Sequence, residues 1–248
     1  MEPPRSGRRK EYASARISEF TRVCTRSRPA RRLPEPRGPD RVLVHPGENA
    51  RAQSSNDPDA HYPEARGGAY LPLDHLRREG TIAAVGVGMN QAKLLERFVR
   101  EADLDCVLVA GRYTLLDQAA LRALLPACLT RHVAVIVGGV YNSGILADPR
   151  MGATFDYVPA PSGLVAKAQR IHAVCQRHGV PLKAAALRFP LGHPAVSAVL
   201  MGCRSRAEVD ENTRLWRHPI PAALWADLRR ERLLPEDAPT PGDGGDGA

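Results

Sequence analysis

Residues 81–118 read TIAAVGVGMNQAKLLERFVREADLDCVLVAGRYTLLDQ, and their rhythm decides the fold. Residues 82–87 are a short apolar run that stops at Gly88-Met89-Asn90-Gln91. Leu94, Leu95, Phe98, Val99 and Ala102 then fall at i, i+1, i+4, i+5 and i+8, which is one face of a helix. Residues 106–110 (CVLVA) are apolar again and stop at Gly111-Arg112-Tyr113-Thr114. Strands apolar on both faces, alternating with amphipathic helices, predict a parallel sheet covered by helices. In such sheets the loops after the strand C-termini carry the chemistry. The polar residues that follow each apolar run are therefore the first place to look for a site.

The pattern continues outward in both directions. Residues 133–137 (VAVIV) are a strand, and Gly138-Gly139-Val140-Tyr141-Asn142-Ser143-Gly144 is its loop. Leu164, Val165, Ala168, Ile171, Val174 and Cys175 mark a helix, and residues 195–201 (AVSAVLM) are a strand followed by Gly202-Cys203-Arg204-Ser205. Ser205 with Glu208 three residues on forms a capping box that starts a further helix. Upstream, residues 42–44 are a short strand ending at His45. This gives strand-plus-loop units near residues 42, 82, 106, 133 and 196.

GVGMNQ (86–91), LVAGRYTLLDQ (108–118), GGVYNSGILA (138–147), HGVPLKAAALRFPLGHPAVSAVLMG (178–202) and CRSRAEVDEN (203–212) together resemble the aldo/keto reductase superfamily. The likeness is strongest to its sugar-oxidising branch of L-fucose and D-threo-aldose 1-dehydrogenases and pyridoxal 4-dehydrogenase. It runs from about residue 40 to residue 239. The resemblance implies an α/β fold of the TIM type, a (β/α)8 barrel that binds NAD(P) without a Rossmann domain. It begins at the family's strand four. Residues 40–238 are therefore expected to form a partial barrel of about strands 4–8 and their helices, N-terminally truncated relative to the family.

The family's catalytic tetrad is an Asp after strand two, a proton-donating Tyr, a Lys that lowers the Tyr pKa, and a His ending strand four. His45 in RVLVH matches the His, with His61 as the competing candidate. The Asp, Tyr and Lys find no match. EYASARI (11–17) resembles the segment around the Lys, with Arg16 in its place. Loss of general-acid catalysis costs about 100- to 10,000-fold in rate. Two readings follow. One is an NAD(P)-dependent oxidoreductase that oxidises an aldose of the L-fucose or D-arabinose type at C1, or reduces a carbonyl. The other is an inactive remnant that keeps at most nucleotide or partner binding.

The resemblance also assigns cofactor contacts. Asn90 would hold the nicotinamide carboxamide, and Asn142, Ser143 and Gly144 would offer backbone to the pyrophosphate. Arg204 and Ser205 would hold the adenosine phosphate at a helix N-terminus, where unpaired N–H groups and the macrodipole attract anions. Asn212 would contact the adenine. Glu208 stands where NADP-selective members often carry Arg, which leaves NAD or NADP open. Gly138 replaces the family's usual stacking aromatic, and Tyr141 lies three residues on.

Composition bounds what remains. Residues 1–39 hold eleven Arg or Lys against four Glu, a net +7 of the chain's +8. That Arg/Pro-rich leader is expected to be disordered. A nucleic-acid arm and a transit peptide are its other readings, and no nucleic acid is expected as a partner. PTPGDGGDGA (239–248) is expected to be a disordered tail. No apolar run reaches the ~18 residues of a membrane span, so no membrane is expected. The five cysteines lack CxxC spacing and read as reduced thiols of a cytoplasmic protein, with no metal site. His172, His178 and His193 lie at no metal spacing, and Trp216 and Trp225 read as packing residues. Five strands cannot close an eight-stranded barrel, so open sheet edges invite self-association. The expected partner otherwise is a small sugar or carbonyl substrate.

Overall fold

The computed structural model describes residues 41–44 and 62–242. His45, His61, the leader and residues 243–248 lie outside the described residues. The expected strands form β1 (Arg41–Val44), β2 (Ala84–Met89), β3 (Cys106–Ala110), β4 (Ala134–Gly138) and β7 (Val196–Leu200). They lie in the order β1-β2-β3-β4-β7, every pair parallel, so that strands next to one another in the sheet follow one another along the chain. This is the helix-covered parallel sheet predicted from residues 81–118, in the α/β, TIM-type order that the resemblance implies. Two-residue strands β5 (Thr154–Phe155) and β6 (Val158–Pro159) form a separate hairpin.

Helices connect the strands. A helical segment begins at Tyr62, is π-helical over Ala65–Tyr70 and continues as α1 (Leu71–Arg78). Next come α2 (Ala92–Glu101), α3 (Leu124–Thr130), α4 (Ser162–Arg177), α5 (Leu182–Arg188), α6 (Arg206–Trp216) and α7 (Ala222–Arg230). The predicted face of α2 is its buried one: Leu94, Leu95, Phe98 and Val99. The same holds in α4 for Val165, Ala168, Ile171, Val174 and Cys175. At the N-terminal edge of the sheet Arg77 bonds Asp74, Asp103 and Asp105. Asp105 also accepts from the Val85 N–H. These bonds pin α1 to β2 and β3 on the face that serves stability in barrels of this type.

The two faces of the sheet are covered unequally. Val107, Val109, Val135 and Val137, turned toward the helices, are 0% exposed. Residues of the other parity, Cys106, Leu108, Ala110, Ala134 and Ile136, are half-buried. Period-2 alternation puts the latter on the concave inner face, which the five strands of the described residues do not enclose. Leu108 fills part of it, against Gly88 and Gly138 on the flanking strands.

Two expectations are corrected. The tail predicted from residue 239 belongs, as far as Thr240, to the packed body. Thr240 is buried, and Arg229 donates to its hydroxyl at 3.0 Å and to the Ala238 carbonyl at 2.9 Å. Gly192 makes this possible, since a Cβ there would lie 2.5 Å from Thr240 main-chain atoms. Trp225 is core, but Trp216 remains 39% exposed and lies beside the Arg188 guanidinium. Among the described residues no helix is long and apolar enough to cross a membrane, and no cluster of ligating side chains could hold a metal.

Candidate functional site

Because the strands are parallel, the loops after β2, β3, β4 and β7 all leave the same edge of the sheet. The β3 and β4 loops touch at the backbone. Gly111 N–H donates to Gly138 O at 2.9 Å. Gly139 has φ +63°, and a Cβ there would sit 3.3 Å from Gly111 N, so glycine is favoured on both counts. Asn142 fastens the contact from its side chain. Its Nδ2 donates to Gly111 O at 3.0 Å, and its Oδ1 accepts from the Thr114 hydroxyl at 2.5 Å. Thr114 and Asn142 are both buried, so this pair satisfies polar groups that water does not reach.

Beyond Asn142 the chain turns left-handed, with φ 44° at Asn142, 57° at Ser143 and 109° at Gly144. Gly144 opens onto free space. The β5–β6 hairpin folds back onto this turn. Thr154 donates its hydroxyl to Ser143 O at 2.7 Å, and the Tyr157 N–H donates to Ser143 Oγ at 3.1 Å. Asp156 and Tyr157 at the hairpin tip have φ 52° and 64°, the positive pair of a two-residue hairpin turn.

Arg112, in the β3 loop, joins these parts. Its Nε donates to Asn90 O at 3.1 Å, and its terminal nitrogens reach Asp117 at 3.3 Å and Asp156 at 2.6 and 3.1 Å. Burial works against its charge, but Asp156 and then Asp117 outweigh it, and its pKa is raised. Asn90, Ser143 and Gly144 thus belong to one connected cluster.

Arg204, Ser205, Glu208 and Asn212 form a second cluster after β7. Ser205 is the N-cap of α6 and accepts from the Glu208 N–H at 3.3 Å, as the capping box predicts. The Glu208 carboxylate turns back on Arg204. It accepts the Arg204 N–H at 2.7 Å and the guanidinium at 2.8 and 3.0 Å. The Arg204 N–H, then its side chain, hold the Glu208 pKa below its usual value. The clusters meet through Tyr141, which donates to Asn212 Oδ1 at 3.1 Å, while Asn212 Nδ2 contacts Cys203 Sγ at 3.3 Å. Beside Asn212 runs an open groove of about 420 Å³, walled by Leu187, Val199, Met201, Val209 and Trp216.

His45, the predicted substrate-facing residue, lies outside the described residues. Reasoning from sequence missed Arg112, Asp156 and Thr114. The signal for the first lay in GRYTLLD, where Arg112 and Asp117 are five apart. Asp156 carried no local signal, being 44 residues from its partner.

Residues 55–231 match the model of the Aldo/keto reductase family. The chain is 44% identical over 170 residues to a pyridoxal 4-dehydrogenase of Microbacterium luteolum, an alignment covering 68% of this chain and 50% of that protein. It is 40% identical over 183 residues to a D-threo-aldose 1-dehydrogenase of a Pseudomonas species, covering 73% and 56%. The chain thus spans about half the length of the curated relatives it matches. Among solved structures, the holo form of an aldo-keto reductase from Bacillus halodurans superposes with a TM-score of 0.53 at 19% identity, covering 77% of this chain and 60% of that one. A glycerol dehydrogenase from Gluconobacter oxydans gives 0.52 at 18%, covering 84% and 62%. These two likenesses carry the fold alone. With a parallel sheet whose loops gather at one edge, and a family match over most of its length, this chain belongs to the aldo/keto reductase family.

Proposed function

We propose that this chain carries the nicotinamide-dinucleotide half of an oxidoreductase that oxidises an aldose at C1 or reduces a carbonyl. The observation that carries the reading is the alignment of two clusters along one sheet edge, joined by Tyr141–Asn212 and flanked by the groove beside Asn212. The residues fit such a ligand. The groove's walls are mostly apolar, with Asn212, Thr213 and Arg217 among its lining, which suits a planar base with polar edges. Arg204 is 91% exposed at a capped helix start, which suits a phosphate. Gly144 leaves its side of the turn open to a pyrophosphate.

In this reading Asn90 binds the carboxamide, and Ser143 and Gly144 line the pyrophosphate. Arg204 and Ser205 take the adenosine phosphate, and Asn212 meets the adenine. Glu208 disfavours a 2′-phosphate by charge, so NAD is accepted alongside NADP. The nicotinamide, when bound, supplies the hydride chemistry. By the family resemblance, His45 is the candidate hydrogen-bond donor to the substrate oxygen. The names of the curated relatives support an aldose or an aldehyde-bearing ring as the substrate class.

Titration of NADH and NADPH fluorescence with the purified chain tests this, with L-fucose and D-arabinose turnover followed in parallel. Binding is the expected result. Binding without turnover selects the remnant reading for this chain, and no binding of either cofactor overturns the proposal. Self-association belongs to the same reading. Among the described residues β7 pairs with β4 alone, and Leu200 and Val209 near it are 43% and 49% exposed. Sedimentation velocity is expected to show concentration-dependent dimers or larger species, and a monomer throughout overturns that part.

A further inference from the structure

Two helices differ from the rest in what they bury. Each of α2, α3, α4, α5 and α7 buries between three and five apolar side chains. α6 runs for 11 residues and buries none, and the buried residue of α1 is Asp74. Val209 and Trp216, seven apart and so on one face of α6, are 49% and 39% exposed. Leu71, at the start of α1, is 54% exposed. A helix in a folded domain draws most of its stability from an apolar face that something covers. On α1 and α6 that cover is incomplete among the described residues.

Both helices belong to the ends of the sheet. α1 follows β1, which among the described residues pairs with β2 alone, and α6 follows β7, which pairs with β4 alone. In a βα array the helix after a strand packs over that strand and the next one. For α6 no next strand stands among the described residues. The groove beside Asn212 lies at this end, walled by Val199 and Met201 of the strand side and by Val209 and Trp216 of the helix. Parallel edges are rarely left open, because their main-chain groups and their apolar faces both need cover. The two ends also fit one another. All the strands of the sheet run the same way, and β1 pairs in parallel with β2 along its whole length, so a strand like it extends the sheet at β7 without being turned over.

We propose that a second copy of this chain covers both ends: β1 of the partner lies parallel beside β7, the Val209–Trp216 face of α6 packs toward the partner's Leu71, and a two-fold axis along the strands repeats the contact at the other end, closing two five-stranded sheets into one ring. Such an axis sets residue i against j and j against i, so two unlike ends of one copy complete each other. Pairing of β7 with the partner's β7 would instead leave β1 and Leu71 uncovered. The ring sets the concave faces, with the half-buried Leu108 and Ile136, opposite one another. It also gives the groove its outer wall, while the mouth at Asn212 and Cys203 stays open to a ligand. The inference rests on the self-association reading of the sheet edge and is independent of which ligand the groove takes.

The test is sedimentation velocity of the full chain over a range of concentrations, for the wild type, Leu71→Lys, Val209→Glu and the control Leu129→Lys. Leu129, on α3 in the middle of the array, is 41% exposed. All three positions are exposed, so far-UV circular dichroism should match the wild type. The wild type is expected to stop at a dimer. Leu71→Lys and Val209→Glu should each weaken the dimer by about 10-fold or more, and Leu129→Lys should leave it unchanged. Mixed in equal amounts, the Leu71→Lys and Val209→Glu chains should dimerise again, because the ammonium and the carboxylate meet at one contact and the unaltered residues at the other. A wild type that is monomeric throughout overturns self-association itself. A dimer that Val209→Glu breaks and Leu71→Lys does not overturns the ring alone, in favour of β7 pairing with β7. Species that keep growing beyond the dimer overturn its closure, and a mixture that stays monomeric overturns the matching of the two ends.

Discussion

After β2, β3 and β4 the chain ties three loops and a hairpin to one another through side chains that are buried or half-buried, with the exposed Asp156 as the hairpin's link. Asn142 and Thr114 are at most 3% exposed, and Arg112 collects partners from as far as 44 residues away. After β7 the ties around Arg204 and Ser205 are local, and Tyr141–Asn212 is the long-range link. Arg204 is bonded to Glu208, four residues on, and Ser205 caps its own helix. One end of the edge is preorganised by the tertiary fold, and the other by a helix terminus that would form its bonds wherever the helix was placed. Substitutions at the first end should therefore act on stability, and those at the second on ligand preference.

The largest effect is expected from Asn142→Ala. It strips a partner from the Gly111 carbonyl and from the Thr114 hydroxyl, both away from water, and forces alanine to φ 44°. Two unsatisfied buried groups plus a left-handed L-residue come to about 4 kcal/mol. Urea unfolding measures it, and a loss below ~1 kcal/mol would mean that the β3 and β4 loops are not fused as described.

Acid should weaken the same end next. His193 is 5% exposed, its ring edge-on to Tyr113 of the β3 loop, and its Nδ1 accepts from the Ala195 N–H. Burial lowers its pKa to about 4 from 6.5. Between those values the unfolded chain binds a proton that the folded chain refuses, so stability falls as pH falls through that window and levels off below it. The loss at the bottom of the window reaches ~3 kcal/mol. Denaturant midpoints measured from pH 7 to pH 4 check this against His193→Gln, in which that part of the slope should vanish.

A smaller effect separates the ends. Tyr141→Phe removes the hydroxyl that donates to Asn212 and should cost ~1 kcal/mol. Hydrogen exchange should rise along α6 and remain unchanged in the β3 and β4 loops. Equal loosening of both would show that the two ends form a single unit.

The contrast also explains what could be read from the sequence. Strands β2, β3, β4 and β7 announce themselves because burial on one face and packing on the other leave nearly continuous apolar runs, as in CVLVA and VAVIV. The α6 capping box is a local device and was legible as Ser205 and Glu208. The β5–β6 hairpin was not. Its strands are two residues long, none of them buried, and its turn residues are Asp156 and Tyr157 where a glycine usually gives the signal. The helical stretch from Tyr62 is hidden by Gly67, Gly68 and Pro72, residues that argue against a helix on propensity. Thr240 lies in a segment whose composition says loop, and only Gly192 across the fold shows that it packs. Arg112 stood inside a motif quoted from the sequence, yet Asn90 and Asp156, two of its partners, come from elsewhere in the chain. Local signals survive in sequence; contacts made by tertiary closure do not.

The smallest change in stability should accompany the clearest change in ligand preference. In the free chain the Glu208 carboxylate occupies both the Arg204 guanidinium and the Arg204 N–H, the groups a phosphate at this helix start would use. An incoming anion has to displace it, and a 2′-phosphate has to sit beside it. Glu208→Gln keeps the size and an acceptor oxygen but removes the charge. The pair is solvent-exposed, so the melting midpoint should move by no more than about 1 °C. Affinity for NADP should rise several-fold relative to NAD, and the gain should shrink as salt is raised, because exposed charges are screened. A ratio that does not move would place the adenosine phosphate away from Arg204 and Ser205. The β7 loop would then be a capped helix start with no share in the site, and the contrast between the two ends would be one between a site and a surface.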